Sequence, residues 1–246
     1  MSEPDVGAGQ PYNPPSDCGK DTDTDTLWVG VKDATARNPR PNMEVCVPEK
    51  GKFGYAIRDG NNDRVQGKYN LLLIPKARLS GIECPKILQA DALNLWEYAW
   101  AEATKRFTGT DVMVGINSYD GRSHNQLHIH LTGVLPRVKQ ELADLDRKIP
   151  TDLSQWNTSV FAIGPQPYAY RIVKVPDLRN NPFNLVHSYI SQDDMFAQSL
   201  GVVSAGKGFY LINTQGKPTQ PNQPAHGCTV DHHYGTSTVE NLMNRG

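Results

Sequence analysis

Apolar and polar positions along the chain fall into blocks whose periods predict both strands and helices. FGYAIRD, from Phe53, reads as a strand that ends in the turn-rich DGNNDRVQG. YNLLLIP, closed by Pro75, is a short apolar run of the kind buried on both faces of a sheet. From Asp91 to Phe107 the period changes. Leu95, Ala99, Ala103 and Phe107 recur at four-residue intervals and Gly109 follows as a stop, so the segment predicts a helix. Its Trp96, Tyr98 and Trp100 are read as packing residues. VMVGINS and QLHIHLTGVL are two more strands, joined by the polar, basic YDGRSHN into a hairpin with a long loop. Beyond Pro136, VKQELADLDRKI lines up Val138, Leu142, Leu145 and Ile149 on one side of a helix. YAYRIVKV is a strand, NPFNLVHSYISQDDMFAQSL is mostly helical, and GVVSA with GFYLINT forms a second hairpin. The pattern predicts an α+β domain, an antiparallel sheet with flanking helices, and it contains no internal repeat.

The ends differ in character. Residues 1–26 combine Pro, Gly, Ser and the run DTDTDT, and are expected to form a flexible arm. Asn38 to Asn42, with two prolines, is a loop. The folded domain is then expected over 27–214, with an irregular tail over 215–246 that is rich in Pro, Gln and Asn. Such a tail lies over a domain rather than inside it, and its removal is expected to leave turnover within a few-fold.

Composition narrows the classes. Of 246 residues 38% are hydrophobic and 21% charged, an ordinary balance, and a net charge of −1 argues against a nucleic-acid partner. The longest clear apolar run, Leu71 to Ile74, is far short of a transmembrane segment. The N-terminus lacks the basic start and apolar stretch of a signal peptide. The expectation is a cytoplasmic protein, or a secreted or periplasmic one whose signal has been removed. Four cysteines (Cys18, Cys46, Cys84, Cys228) form no C-x-x-C pair and allow three complete pairings, among which the sequence does not choose. A bond from Cys228 to Cys46 or Cys84 would pin the tail. The tail's His226, Cys228, Asp231, His232 and His233 suit a transition metal by type but match no zinc spacing, so neither a metal nor a cofactor is expected.

The chemistry concentrates in Gln126-Leu127-His128-Ile129-His130-Leu131. In a strand, alternate side chains share a face and repeat about every 6.6–7 Å. Gln126, His128 and His130 therefore line one face, and Leu127, Ile129 and Leu131 back them with core. Zinc hydrolases that open on H-x-H need further acidic and His ligands soon after, and LTGVLPRV supplies none. Phosphoesterases with two H-x-T or H-x-S motifs are excluded because His130-Leu131-Thr132 is the one such motif in the chain.

GINSYDGRSHNQLHIHLTG, preceded by YNLLLIPKARLSGIE, resembles the CDP-diacylglycerol pyrophosphatase branch of the histidine-triad (HIT-like) superfamily. The resemblance runs from about Leu27 through Thr214 and is strongest over Tyr69–Glu83 and Asn117–His130. It implies a HIT-like antiparallel sheet with nucleotides held against it, and hydrolysis of CDP-diacylglycerol to CMP and phosphatidate. The superfamily's nucleophile falls on His128, which would form a phosphohistidine intermediate, and its phosphate-binding histidine falls on His130. Its first histidine is replaced by Gln126, which can donate a hydrogen bond to a phosphoryl oxygen but cannot shuttle a proton. His124 is then the nearest spare imidazole for the leaving phosphate. By the same resemblance Arg122 supplies a cation and Asn117 a polar anchor, unless both are solvated loop residues. Asp59 matches the acid that accepts from the ribose hydroxyls, or else it initiates the turn before Gly60. Arg78 or Lys76 meets the distal phosphate or lipid headgroup. The expected partner is a nucleotide-diphosphate or phospholipid-type substrate; oligomeric state is not legible. Two other classes stay open: the same fold carrying a biosynthetic cyclase or isomerase, and a non-catalytic nucleotide- or lipid-binding module.

Overall fold

A computed structural model describes residues 18–35, 38, 42–46, 54–60, 70–89, 93–109, 111–119, 121–165, 168–215, 239 and 242–244. In chain order the described strands are β1 (Met43–Cys46), β2 (Tyr55–Asp59), β3 (Asn70–Pro75), β4 (Val112–Ile116), β5 (Ile129–Val134), β6 (Val160–Ile163), β7 (Tyr168–Val175), β8 (Gln198–Ser204), β9 (Phe209–Gln215) and β10 (Met243–Asn244). The helices are α1 (Thr26–Lys32), α2 (Leu95–Arg106), α3 (Pro136–Leu145) and α4 (Pro182–His187). The strands form one sheet in the order β1-β2-β3-β5-β4-β8-β9-β7-β6, with every neighbouring pair antiparallel. The α+β expectation is met.

Period-2 patterning decides the layers. Leu73, Val112, Val114, Ile129, Leu131, Val202 and Leu211 point to one side and pack against Leu95, Trp96, Ala99 and Ala103 of α2. On the other side Leu72, Ile74 and Ala56 pack under Leu27, Trp28 and Val31 of α1. Further along that side, Met113, Tyr170, Ile172 and Ile212 pack under Val138 and Leu142 of α3. Leu72, Leu73 and Ile74 are thus buried on both faces of the sheet because a helix covers each. His130 of β5 stands on the side shared by α1 and α3.

Four segments differ from the sequence pattern. Residues 18–26, part of the expected flexible arm, are fastened down: Cys18 is disulfide-bonded to Cys84, Asp23 pairs with Arg78, and α1 begins at Thr26. The bond to Cys18 removes Cys84 as a partner for Cys228, and Cys46 is the free cysteine among the described residues. MEVC, too short to show a period, is an edge strand paired with β2. Helix in the 181–200 region stops at Ala197, because Gln198 already pairs with Gln215 in the β8–β9 hairpin. Finally, the tail returns to the sheet. Met243 and Asn244 pair with Val134 and Gly133 of β5, and Val239, Leu242 and Met243 are buried. Gly115, opposite His130, makes this possible, since a Cβ there would meet the Met243 Cε at 2.6 Å. The tail's His226, Cys228, Asp231, His232 and His233 lie outside the described residues. Among those that are described, no helix is long and apolar enough to cross a membrane.

Candidate active site

β5 carries His130 between Leu72 of β3 and Gly115 of β4, so its imidazole stands on the α1/α3 side of the sheet. His128 lies just before the strand begins. Its ring centroid is 5.2 Å from that of His130 and 6.2 Å from that of His124 in the preceding loop, which sets three imidazoles in a row. Leu127, Ile129 and Leu131 enter the α2 core as the alternation requires.

The regular strand starts at Ile129 rather than Gln126 because the Gln126 side chain is drawn inward. Its Nε2 donates to the Pro75 and Ala77 carbonyls at 3.0 and 2.9 Å, and its Oε1 accepts from Arg78 at 3.0 Å. An amide has two N–H groups, and both are spent on those carbonyls. Gln126 therefore anchors the start of the histidine strand and is not turned toward a phosphoryl group. The Leu127 amide donates to the Leu79 carbonyl at 2.7 Å and continues the anchoring.

One consequence falls on His128. Its Nδ1 is 2.8 Å from the Gln126 carbonyl oxygen. A carbonyl only accepts, so Nδ1 carries the proton and Nε2 keeps its lone pair. The residue is 6% exposed, and burial holds its pKa down at about 4, with the Gln126 carbonyl working against that shift and His124 and Arg122 adding to it. At neutral pH the ring is uncharged and of fixed tautomer.

His124 is placed by α1. Asp25 caps that helix, its Oδ1 accepting from the amides of Leu27 and Trp28 at 2.9 and 3.1 Å. The other oxygen accepts from the Asn125 amide at 2.8 Å and lies 3.7 Å from His124 Nδ1, where the Thr26 hydroxyl also approaches at 3.4 Å. A carboxylate thus backs one nitrogen of His124, whose ring stands edge-on to that of His128.

The expected phosphate cations are differently employed. Arg122 forms a two-pronged ion pair with Glu83 at 2.6 and 2.7 Å, and both side chains are at most 3% exposed. The guanidinium also bonds Asn125 Oδ1 and lies over the Tyr119 ring, so it braces the loop rather than standing open. The guanidinium lies directly over Gly81, where a Cβ would fall 1.6 Å from Arg122 Nη1 and displace the pair. Arg78 is held by Asp23, Gln126 and the Asn125 carbonyl, and Lys76 donates to the Ala34 carbonyl. Asn117 is brought to the site: its Nδ2 donates to the Gly121 carbonyl at 3.2 Å and lies 3.4 Å from His130 Nε2. Asp59 is not. It is exposed, two strands away, and in register through Leu71 with Leu131, on the face opposite the histidines.

Two acids of the site, Asp25 and Glu83, escaped the sequence reading. Asp25 had a signal, an N-cap type directly before TLWVGVK. Glu83 had none, because its pairing with Arg122 spans 39 residues. The arrangement as a whole offers a neutral imidazole of fixed tautomer, a second imidazole backed by a carboxylate, and a third held beside an amide. That set suits displacement at phosphorus.

Comparison with known proteins agrees. A CDP-diacylglycerol pyrophosphatase of Yersinia pestis is 28% identical over 232 residues, covering 85% of this chain and 86% of that protein. Residues 22–235 match the family described as CDP-diacylglycerol pyrophosphatase, a span that holds the three imidazoles, Asp25 and Glu83. The chain belongs to the CDP-diacylglycerol pyrophosphatase family, hydrolases that act on a diphosphate bond.

Proposed function

We propose that this protein hydrolyses CDP-diacylglycerol to CMP and phosphatidate through a phosphohistidine on His128, the chemistry of the histidine-triad superfamily. The observation that carries the reading is the 2.8 Å contact between His128 Nδ1 and the Gln126 carbonyl, which keeps the proton on Nδ1 and leaves Nε2 with its lone pair. Nε2 attacks the phosphorus that bears cytidine, and an N–P bond forms as the bond to the bridging oxygen breaks. Phosphatidate departs with the electron pair and takes a proton from His124, whose other nitrogen faces Asp25. The Gln126 carbonyl offsets the charge left on the phosphorylated ring. Water then attacks the same phosphorus, gives its proton to the now neutral His124, and releases CMP and neutral His128. His130 and Asn117 bind the phosphoryl oxygens, a task that needs hydrogen-bond donors and not proton transfer. The catalytic unit on this reading includes Asp25, ahead of the expected boundary at Leu27.

Changed chemistry on the same fold drew part of its support from the Gln126 departure, beside the unusual tail and the lack of a dedicated anchor. As a buried anchor Gln126 leaves the nucleophile in place, so the departure carries no argument for a different reaction. The test is rapid quenching with substrate labelled in the cytidylyl phosphate. A labelled adduct that is acid-labile, alkali-stable and mapped to His128 is expected, and His128→Ala should lose both adduct and turnover. His130→Ala should retain weak turnover, because a ligand is easier to replace than a nucleophile. Turnover in His128→Ala equal to that of the unaltered protein would overturn the mechanism.

A further inference from the structure

The segment Pro75–Leu79 that receives the Gln126 amide also walls a half-open groove of about 550 Å³. That volume lies in the range of small-molecule sites, roughly 300–1,000 Å³. Apolar side chains make most of its lining: Trp28, Leu79, Ile87, Leu93, Leu95 and Phe183. Its cations are Lys76, Arg78 and Lys86, against one lining carboxylate, Asp21. None of the steps proposed at His128 uses this space.

We infer that the groove seats the diacylglycerol end of the substrate, taking the ester region and first methylenes of the acyl chains, with the adjoining phosphate toward Lys86. The inference rests on the reading of the chain as a CDP-diacylglycerol hydrolase. Two observations and one physical argument carry it. The groove abuts the nucleophile's support: Arg78 lines it and holds Gln126 Oε1, while the Gln126 carbonyl holds His128. Its chemistry is amphipathic in the sense the substrate demands, apolar within and basic at Lys86, which is exposed. A nucleotide alone would have no use for the apolar lining. Lastly, a phosphorus anchored by two acyl chains at a lipid surface reaches a buried imidazole only if the first part of those chains is drawn into the protein.

The test needs no turnover. Phosphatidates with two four-, six- or eight-carbon chains are titrated calorimetrically below their critical micelle concentrations. Each buried methylene strengthens binding about fourfold, so Kd should fall at least about tenfold per two-carbon step. Leu93→Asp should flatten that dependence. Leu93→Trp, which fills the groove without adding charge, should do the same and serves if the charged variant does not fold. Hydrolysis of CDP-glycerol, which has no chains, should stay within about twofold in both. Binding by the unaltered protein that ignores chain length overturns the groove, as does an unchanged dependence in the folded variants. Occupation by the chain's own terminal residues or by a second copy would give the first of these. Failure to hydrolyse CDP-glycerol or CDP-diacylglycerol, with the chain-length dependence intact, overturns the catalytic reading and leaves the groove standing.

Discussion

A buried imidazole held neutral ties stability to pH. The His128 pKa is about 4 in the fold and about 6.5 in an unfolded chain. Above pH 6.5 both states are neutral there and the contribution is complete. As pH falls below 6.5 the unfolded chain takes up the proton first, and stability drops until the folded group titrates near pH 4. The loss amounts to roughly 3 kcal/mol. Denaturation of His128→Asn should lack this share of the acid destabilisation, and parallel pH curves for the two proteins would refute the assignment. Asp25 gives a second test at this scale. Asp25→Ser keeps an N-cap for α1 but removes the carboxylate behind His124. It should lower kcat by about ten- to a hundredfold, and a leaving group that needs no protonation should restore most of that. Equal losses with both leaving groups would mean that Asp25 serves the helix alone. At the residue scale the sequence disclosed the histidines and their facing, because strict alternation with Leu127, Ile129 and Leu131 survives into the structure. It did not disclose which polar groups were already spent. Gln126, Arg78 and Arg122 look available in the sequence and are consumed by Pro75, Asp23 and Glu83, partners that folding alone brings near.

Elements with a long period were legible and those defined by a tether were not. α2 follows from Leu95, Ala99 and Ala103, and α3 from Val138 and Leu142. The segment 18–34 shows no period strong enough to overrule its Pro- and Asp-rich surroundings, yet it delivers Asp23 and Asp25 to the site. Its order comes from the Cys18–Cys84 bond, which spans 66 residues, together with the Trp28 packing. Closing a loop of that length stabilises a fold by about 4 kcal/mol in the chain-entropy account. Reduction, or Cys18→Ser, should therefore lower the unfolding free energy by about 2–4 kcal/mol and cut kcat/KM more than the His128 adduct yield at saturating substrate. The measurement pairs denaturation curves with kinetics in the presence and absence of a thiol reductant. Unchanged values in both would show that α1 stays docked without its tether.

At the scale of the whole molecule the tail changes from accessory to part of the fold. Read from composition, residues 215–246 lie over the domain and are dispensable. The pattern could not show otherwise, because two hydrogen-bonded residues and three buried side chains leave no period in a Pro-, Gln- and Asn-rich stretch. In the structure those few residues reach the strand that carries His130. The Leu135 amide donates to the Leu242 carbonyl at 3.0 Å, and Thr132 Oγ1 donates to the Asn244 carbonyl at 2.8 Å. Met243 fills the space over Gly115, directly across from His130, and Val239 and Leu242 close the α3 core. Burying a side chain of this size contributes about 1.5–3 kcal/mol, so the three together approach the net stability of a typical domain, about 5–15 kcal/mol. Truncation after Thr214, or after residue 238, should therefore unfold the protein or leave it with a much lower denaturation midpoint. Leu242→Ala gives the graded version: a loss of about 2–4 kcal/mol, with kcat near normal at temperatures where the variant remains folded. Gly115→Ala separates packing from chemistry, since its new Cβ displaces Met243 beside His130 while touching neither His128 nor His124. It should weaken substrate binding and stability together and leave adduct formation at saturation intact. A truncated protein with an unaltered midpoint and full turnover would show that the last strand is incidental.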